Sequence, residues 1–400
     1  MYVTRPLSMY INEPSALSQP PPEGPNSGIL VIEDEEAELT CCFGLCKNDE
    51  VFDMPFPQNK DLTLRYSTSS GVGTDRHTHV DHFYAAFVPV LNQPLSANRY
   101  YVIQTQGKHK GEAYANSREE DMTTCCFCCK IVDDRPTQAL DHNNVYQQFE
   151  ITKATRKQAL FGSPKGFTAR AVAPDGIPPH FLERQGWTAH TTTRRNFELG
   201  EAQGLIAARR ARLPDFDFPL TSKASNPVVV GKWYCPFMFI KEGRTKDQVR
   251  NSVYYEMTLE QNWEQIFECE NGYGEGNSVV VDVNVETQLV KVFGNEAKNV
   301  EVADGVMWFK SPGNQGNVSA VGLSMAIVER MRWEEERVGY VWGNERVVRV
   351  KKVEEFGGID GWKKYACYVL VERFVVRRLD GSLVLTWDFK HTHQIRSKWE

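Results

Sequence analysis

Hydrophobic and polar residues alternate with a period of two in many short stretches of this chain. Residues 29–32, LTLRY from Leu62, FYAAFVPV from Phe83, RYYVIQT from Arg99 and VYQQFEI from Val145 are β-branched and aromatic runs separated by polar turns. That is the pattern of half-buried strands, and it predicts a β-rich N-terminal lobe over residues 29–150. Residues 1–28 end in PPPEGPNSG, where proline fixes φ and removes donors, so an extended Pro-rich arm is expected there.

The clearest strand signals lie in residues 226–400, predicted as a C-terminal, mainly antiparallel β lobe. VVVGKWYCPFMFIKE reads as one strand over 228–242. Val279, Val281, Val283 and Val285 share one face of another, with residues 289–293 expected to return antiparallel to it. Asp380-Gly381 tolerates the positive φ of a tight turn and predicts a hairpin between YACYVLVERFVV and LVLTWDF. Leu323, Ile327 and Met331 recur at helical spacing, which predicts an amphipathic helix over 322–337 with Glu334 and Glu335 mostly off its apolar stripe. Strands grouped around a few helices, without strict alternation, predict an α+β, β-rich class: two lobes of mainly antiparallel strands with a few short helices.

Residues 151–225 differ in charge, holding 12 Lys/Arg against 6 Asp/Glu. They are expected to form a basic helical connector, with helices at 179–185 and 201–212, the second ended by Pro214. Over all 400 residues there are 46 Lys and Arg against 52 Asp and Glu, a net charge of −6. A length of 400 exceeds what one core usually accommodates. No apolar run reaches the ~18 residues of a membrane-spanning helix, and MYVTRPLSMY is no secretory signal. An intracellular, cytoplasmic location is expected, with cysteines present as thiols or metal ligands.

MYVTRPLSMY, PPPEGPNSG, CCFGLC, NQPLSANRYYVI, VVVGKWYCPFMFIKEG, YYEMTLEQNWEQIF and the final HTHQIRSKWE together resemble a flowering-plant family known as domain of unknown function 1262. The resemblance runs essentially end to end. It implies a plant, intracellular, soluble protein, and it brings no activity, cofactor or catalytic residue with it. A crystal-toxin label attached to similar proteins implies β-rich architecture and not toxicity.

HTHVDH supplies His77, His79, Asp81 and His82 in the H-x-H-x-D-H pattern of metallo-β-lactamase-type hydrolases. There such groups converge on zinc or iron and turn bound water into a nucleophile. The context differs from that pattern, because a polar segment precedes the string and a strand-like run follows it, so a solvated loop is the competing reading. Cys42, Cys46, Cys125 and Cys128 have spacings that allow a structural zinc site if the two segments meet; S-acylation of CCFCC and plain thiols are the alternatives. Gly322-Leu323-Ser324-Met325-Ala326 approximates a nucleophile elbow, with Asp360 or Asp380 and His391 or His393 in serine-hydrolase order, against which stands the role of a helix N-terminus. NGYGEGN is too evenly spaced for a dinucleotide fingerprint and reads as a loop. Arg194, Arg195, Arg209, Arg210 and Arg212 suit phosphate or lipid headgroups, or docking against acidic parts of the same chain.

No complete catalytic constellation emerges. The expected function is a non-catalytic binding or interaction protein with a protein partner or a small ligand. The alternatives are a metal-dependent hydrolase using the His/Asp string and a peripheral membrane-binding or toxin-like β protein. The acidic balance and the lack of a recognised module argue against nucleic acid.

Overall fold

The structure is a computed structural model that describes the chain except residues 39, 42–45, 71–76, 126–128, 155–165, 185, 194–197, 273–275, 313–317, 344–345 and 360. It is β-rich, with mostly antiparallel sheets and few helices. The backbone groups into two compact units, residues 1–202 with 236–253, and residues 203–235 with 254–400. The boundaries therefore differ from those expected: the basic segment is divided between the units, and 236–253 belongs with the N-terminal unit.

In the first unit, β1 (Tyr2–Pro6) pairs in parallel with β2 (Gly28–Ile32), and α1 (Leu7–Asn12) follows β1. The N-terminal segment is thus not an extended arm. Met1, Tyr2 and Val3 are fully buried, and the Tyr2 hydroxyl donates to the Pro89 carbonyl at 2.8 Å. The apolar opening residues outweigh the prolines, which all lie after α1 except Pro6 at the end of β1.

A seven-stranded antiparallel sheet is built from β3 (Glu50–Val51), β4 (Lys60–Ser70), β5 (His77–Pro89), β6 (Arg99–Gln104), β7 (Gln148–Lys153), β8 (Phe167–Ala171) and β9 (Thr188–Thr193), in the order β8-β7-β6-β5-β4-β9-β3. Alternate residues of these strands, including Leu62, Leu64, Phe87, Tyr100, Phe149 and Phe167, share one buried cluster with Phe56 and Trp187. The short helix α2 (His180–Glu183) adds Phe181 and Leu182. Gly166, at φ +112°, has no room for a side chain, since an added Cβ would lie 2.3 Å from the Trp187 carbonyl oxygen. Gly166→Ala is expected to cost roughly 1–3 kcal/mol of stability, read as a lower urea midpoint; an unchanged midpoint would contradict the close approach.

The second unit is organised on a long antiparallel sheet. Its strands are β10 (Gly204–Leu205), β11 (Val228–Pro236), β12 (Tyr254–Glu270), β14 (Gln288–Val292), β19 (Lys364–Arg378) and β20 (Leu383–Trp399), in the order β10-β11-β12-β19-β20-β14. Helix α3 (Ala207–Arg212) follows β10. The ribbon β13 (Ser278–Glu286) pairs with β18 (Val347–Glu355), and β15 (Asn299–Ala303), β16 (Val306–Pro312) and β17 (Val318–Ser324) form a meander that leads into α4 (Met325–Glu336).

Three expectations change here. Only Thr287 separates β13 from β14, too little chain for a hairpin, so β14 pairs instead with β20. The strand over 228–242 stops at Pro236, where a 3₁₀ turn (Phe237–Phe239) interrupts it. Helix α4 starts at Met325, because residues through Ser324 pair with β16 as a strand. The Asp380-Gly381 hairpin forms as expected, with Gly381 at φ 83°. Among the described residues no helix is long and apolar enough to cross a membrane.

Candidate ligand-binding site

Strand β19 is buried on both faces over most of its length, from Tyr365 to Val371 and again from Phe374 to Val376. Two charged residues interrupt this apolar run, Glu372 and Arg373, and successive strand residues point to opposite faces. Each must therefore find a partner on its own face, since an unpaired buried charge is costly. Arg373 donates twice to Asp388 of β20, at 2.6 Å each.

Glu372 faces α3 and α4. Arg210 Nε donates to Glu372 Oε1 at 2.8 Å and Arg210 Nη2 donates to Oε2, a bidentate pairing suited to a guanidinium. Gln261 of β12, directly opposite Glu372 in register, donates its amide to Oε1 at 2.6 Å. Glu334 accepts from Arg210 Nη1 at 3.4 Å and from Arg330 Nη2 at 2.7 Å. His391 Nε2 lies 3.1 Å from Glu335 Oε2 and 3.6 Å from Glu372 Oε2. Glu334, Glu335 and Glu372 are all 0% exposed and His391 is 1% exposed.

This burial moves the titrations apart. Glu335 is pushed up to about 8 by burial and by the nearby Glu372 charge, against the pull of His391 and Arg210. Burial would raise Glu372 as well, but the hydrogen bonds and charges of Arg210 and His391 outweigh it and hold the carboxyl at about 2. For His391 burial favours the neutral ring, yet Glu335 and Glu372 overcome it and raise the imidazole to about 9.

Glu335, Glu372 and His391 each offer a donor atom, all within 4.8 Å of one another. The charge balance favours a proton over a metal there. Glu334 and Glu372 stand against the buried guanidinium groups of Arg210 and Arg330, and one proton shared by Glu335 and His391 across 3.1 Å completes neutrality, whereas a divalent ion would leave an excess positive charge in a buried setting. The cluster reads as an ion network that clamps α3 and α4 to the sheet beside a cavity of about 350 Å³ lined by Arg210, Gln261, Glu372 and His391.

The clamp fixes what α3 presents on its other sides. Arg210 is buried while Arg209 and Arg212 are exposed, and the helix ends where Leu213 takes φ +60° before Pro214. Strand β20 carries the second set of cations. Val369 pairs with Ile395 and Leu370 with His391, so a bulge of extra residues shifts the parity and puts His391, Arg396 and Lys398 on one face of the sheet. Arg209, Arg212, Arg396 and Lys398 line a cavity of about 630 Å³ with Leu213, Pro214, Asp215, Phe216, Asp217 and Val228. The Arg396 guanidinium lies 4.8 Å from the Trp263 ring centre and the Lys398 ammonium 4.3 Å from that of Phe218. Arg209 donates to the Val229 carbonyl at 3.2 Å and Lys398 to that of Phe218. Among the described residues no carboxylate lies within 4.0 Å of any of these four cations, and the side chains of Arg212 and Arg396 make no hydrogen bond.

Elsewhere the sequence candidates separate. The HTHVDH string is part of strand β5, not a loop. Alternation puts His79 and Asp81 on one face, with His79 Nε2 3.0 Å from Asp81 Oδ1, and turns His82 to the other; the His77 side chain lies outside the described residues. Asp81 accepts from Arg184 at 2.6 Å, and that hydrogen bond holds its carboxyl below the usual range. Cys42 and Cys128 lie outside the described residues, as do the side chains of Cys46 and Cys125. Ser324 ends β17, Asp380 accepts from Ser382, and His391 faces Glu335, so each member of the serine constellation has a different partner; Asp360 is outside the described residues. Arg194 and Arg195 are outside them too. Glu335 and Glu372 were not singled out by the sequence pattern.

Residues 23–127 match the family model described as a protein of unknown function, DUF1262. The matched segment contains CCFGLC and NQPLSANRYYVI, two of the strings that carried the resemblance. A comparison with curated proteins returns no match. Among solved structures the chain is similar to the crystal structure of Cry35Ab1, at 10% identity and a TM-score of 0.48, over 86% of this chain and 90% of that one.

Proposed function

We propose that the protein is a non-catalytic binding protein whose second unit takes up an anionic ligand. The observation that carries this reading is the cavity of about 630 Å³ into which α3 and β20 direct four cations without a neutralising ion pair. Guanidinium groups lacking protein acceptors bind oxyanions through charge-assisted hydrogen bonds, and a pocket of this size suits a small organic molecule. The buried acids and His391 serve the fold by holding Arg210, and through it the helix that carries Arg209 and Arg212.

Calorimetric titration of the full chain at low salt with citrate and with orthophosphate is expected to show saturable binding that weakens as salt rises. Arg212→Gln combined with Arg396→Gln is expected to weaken it at least about tenfold. Both side chains are exposed, so the urea midpoint should move little. Affinity unchanged in the double variant, or no saturable binding of either anion, would defeat the reading.

A further inference from the structure

The anion can be specified further, on the assumption that the cavity binds one at all. Arg209, Arg212, Arg396 and Lys398 face Asp215 and Asp217 across the same space, which leaves an excess of two positive charges. A carboxylate or a sulfate ester neutralises one of them. A phosphate monoester carries close to two negative charges at neutral pH, matching the excess, and offers three acceptor oxygens to the donors around it.

The donors also come from two directions. Arg209 and Arg212 stand on α3, whereas Arg396 and Lys398 stand on β20, so a tetrahedral group with several oxygens reaches both walls where a planar carboxylate presents a single edge. Leu213, Pro214, Phe216 and Val228 form an apolar side of the cavity, and the space exceeds that of one phosphoryl group many times. An organic ester fills this arrangement better than the free ion. Arg396, already stacked on Trp263 at 4.8 Å, keeps its edge N–H groups available because stacking uses only the guanidinium face.

We infer that the cavity formed by Arg209, Arg212, Arg396 and Lys398 binds the phosphate monoester of an organic molecule as a dianion. The same chemistry occurs on soluble phosphorylated metabolites and on the headgroup of phosphatidic acid.

Phenyl phosphate and phenyl sulfate share a ring and a tetrahedral anion and differ by one charge above the second phosphate pKa of about 6. Titrated into the full chain at about pH 7.5, phenyl phosphate is expected to bind at least about tenfold more tightly, with the gap narrowing at about pH 5, where both are monoanions. Asp215→Asn with Asp217→Asn removes the opposing carboxylates and is expected to tighten phenyl phosphate several-fold, a gain that a misfolded chain would not produce. Co-sedimentation with phosphatidylcholine vesicles containing phosphatidic acid, lost in Arg212→Gln, would assign the ester to a membrane surface; phenyl phosphate binding without vesicle binding would assign it to a soluble molecule. Equal affinity for the two phenyl esters would overturn the dianion while leaving anion binding in place. No binding of either would overturn both.

Discussion

Arg210→Met is expected to lower the stability of the chain by roughly 3–5 kcal/mol, the range for removing one partner from a buried ion pair. Glu372 would keep only the Gln261 amide at 2.6 Å and the more distant His391 at 3.6 Å, and Glu334 would fall back on Arg330. Three buried carboxylates would then face one buried guanidinium and one imidazole, with the Arg337 guanidinium, 40% exposed, 3.9 Å from Glu334, so the loss exceeds that of a surface contact. Arg210→Lys keeps the charge but cannot reproduce the two parallel hydrogen bonds to Glu372, and an intermediate loss is expected. Arg210→Met together with Glu372→Leu removes both charges and restores the balance, which should recover much of the stability. Urea unfolding followed by tryptophan fluorescence reads all three. A single variant within about 1 kcal/mol of the parent, or a double variant no better than the single, would show that Arg210 is not the clamp described.

The same residue ties stability to ligand uptake. Helix α3 spans only Ala207–Arg212, far below the length at which a helix is stable alone. Its placement depends on Arg210, and the aim of Arg209 and Arg212 depends on that placement. Under mild conditions, where Arg210→Met remains folded, anion affinity should therefore fall even though Arg210 itself does not line the cationic cavity.

Much of the strand content was legible because alternation is local. The valines at 279, 281 and 285 are buried while Val280 is 55% exposed, as period two requires. Pairing was less legible, because it depends on how much chain remains between strands, and Thr287 alone cannot reverse direction. The ion network escaped for a different reason. Arg210 and Glu372 are 162 residues apart in sequence, and charged residues on a helix are ordinarily assigned to solvent. Two signals were nonetheless present. Glu334 and Glu335, expected mostly off the apolar stripe of α4, fall three and four residues after Met331, continue that stripe and are buried, and the Glu372-Arg373 pair interrupts a run too apolar to be solvated on either face. Arg209 and Arg212 were visible as part of a basic segment. Their partnership with Arg396 and Lys398 was not, since it depends on a bulge at residues 392–394 of β20, opposite Val369 and Leu370, that has no plain sequence mark.

Raising the pH from about 6.5 to 9 is expected to destabilise the chain, with His391 as a principal cause. Its imidazole is held at about 9 in the fold against an ordinary value of about 6.5. The folded state therefore binds a proton that the unfolded state has released, and stability falls with rising pH across that interval. The contribution of His391 is complete below about pH 6.5 and gone above about 9, on the order of 3 kcal/mol. Glu335, held up at about 8, acts in the same direction from lower pH, and because it touches His391 the two losses form one coupled transition. Glu372, held at about 2, acts on the opposite limb, its contribution being lost as pH falls from the ordinary carboxylate range. The groups that face the imidazole are the carboxylates of Glu335 and Glu372, the guanidinium of Arg210 through Glu372, and the rings of Tyr340 and His393 at 5.6 and 5.4 Å. His393 is itself lowered, by burial and by the His391 charge, so its titration lies below the interval from about 6.5 to 9 and does not cancel the effect there. Urea midpoints measured between about pH 6 and 10 should decline in the parent and decline much less in His391→Gln, whose amide can still donate to Glu335 without titrating. Parallel pH profiles for the two proteins would mean that the third positive charge of the network does not reside on His391.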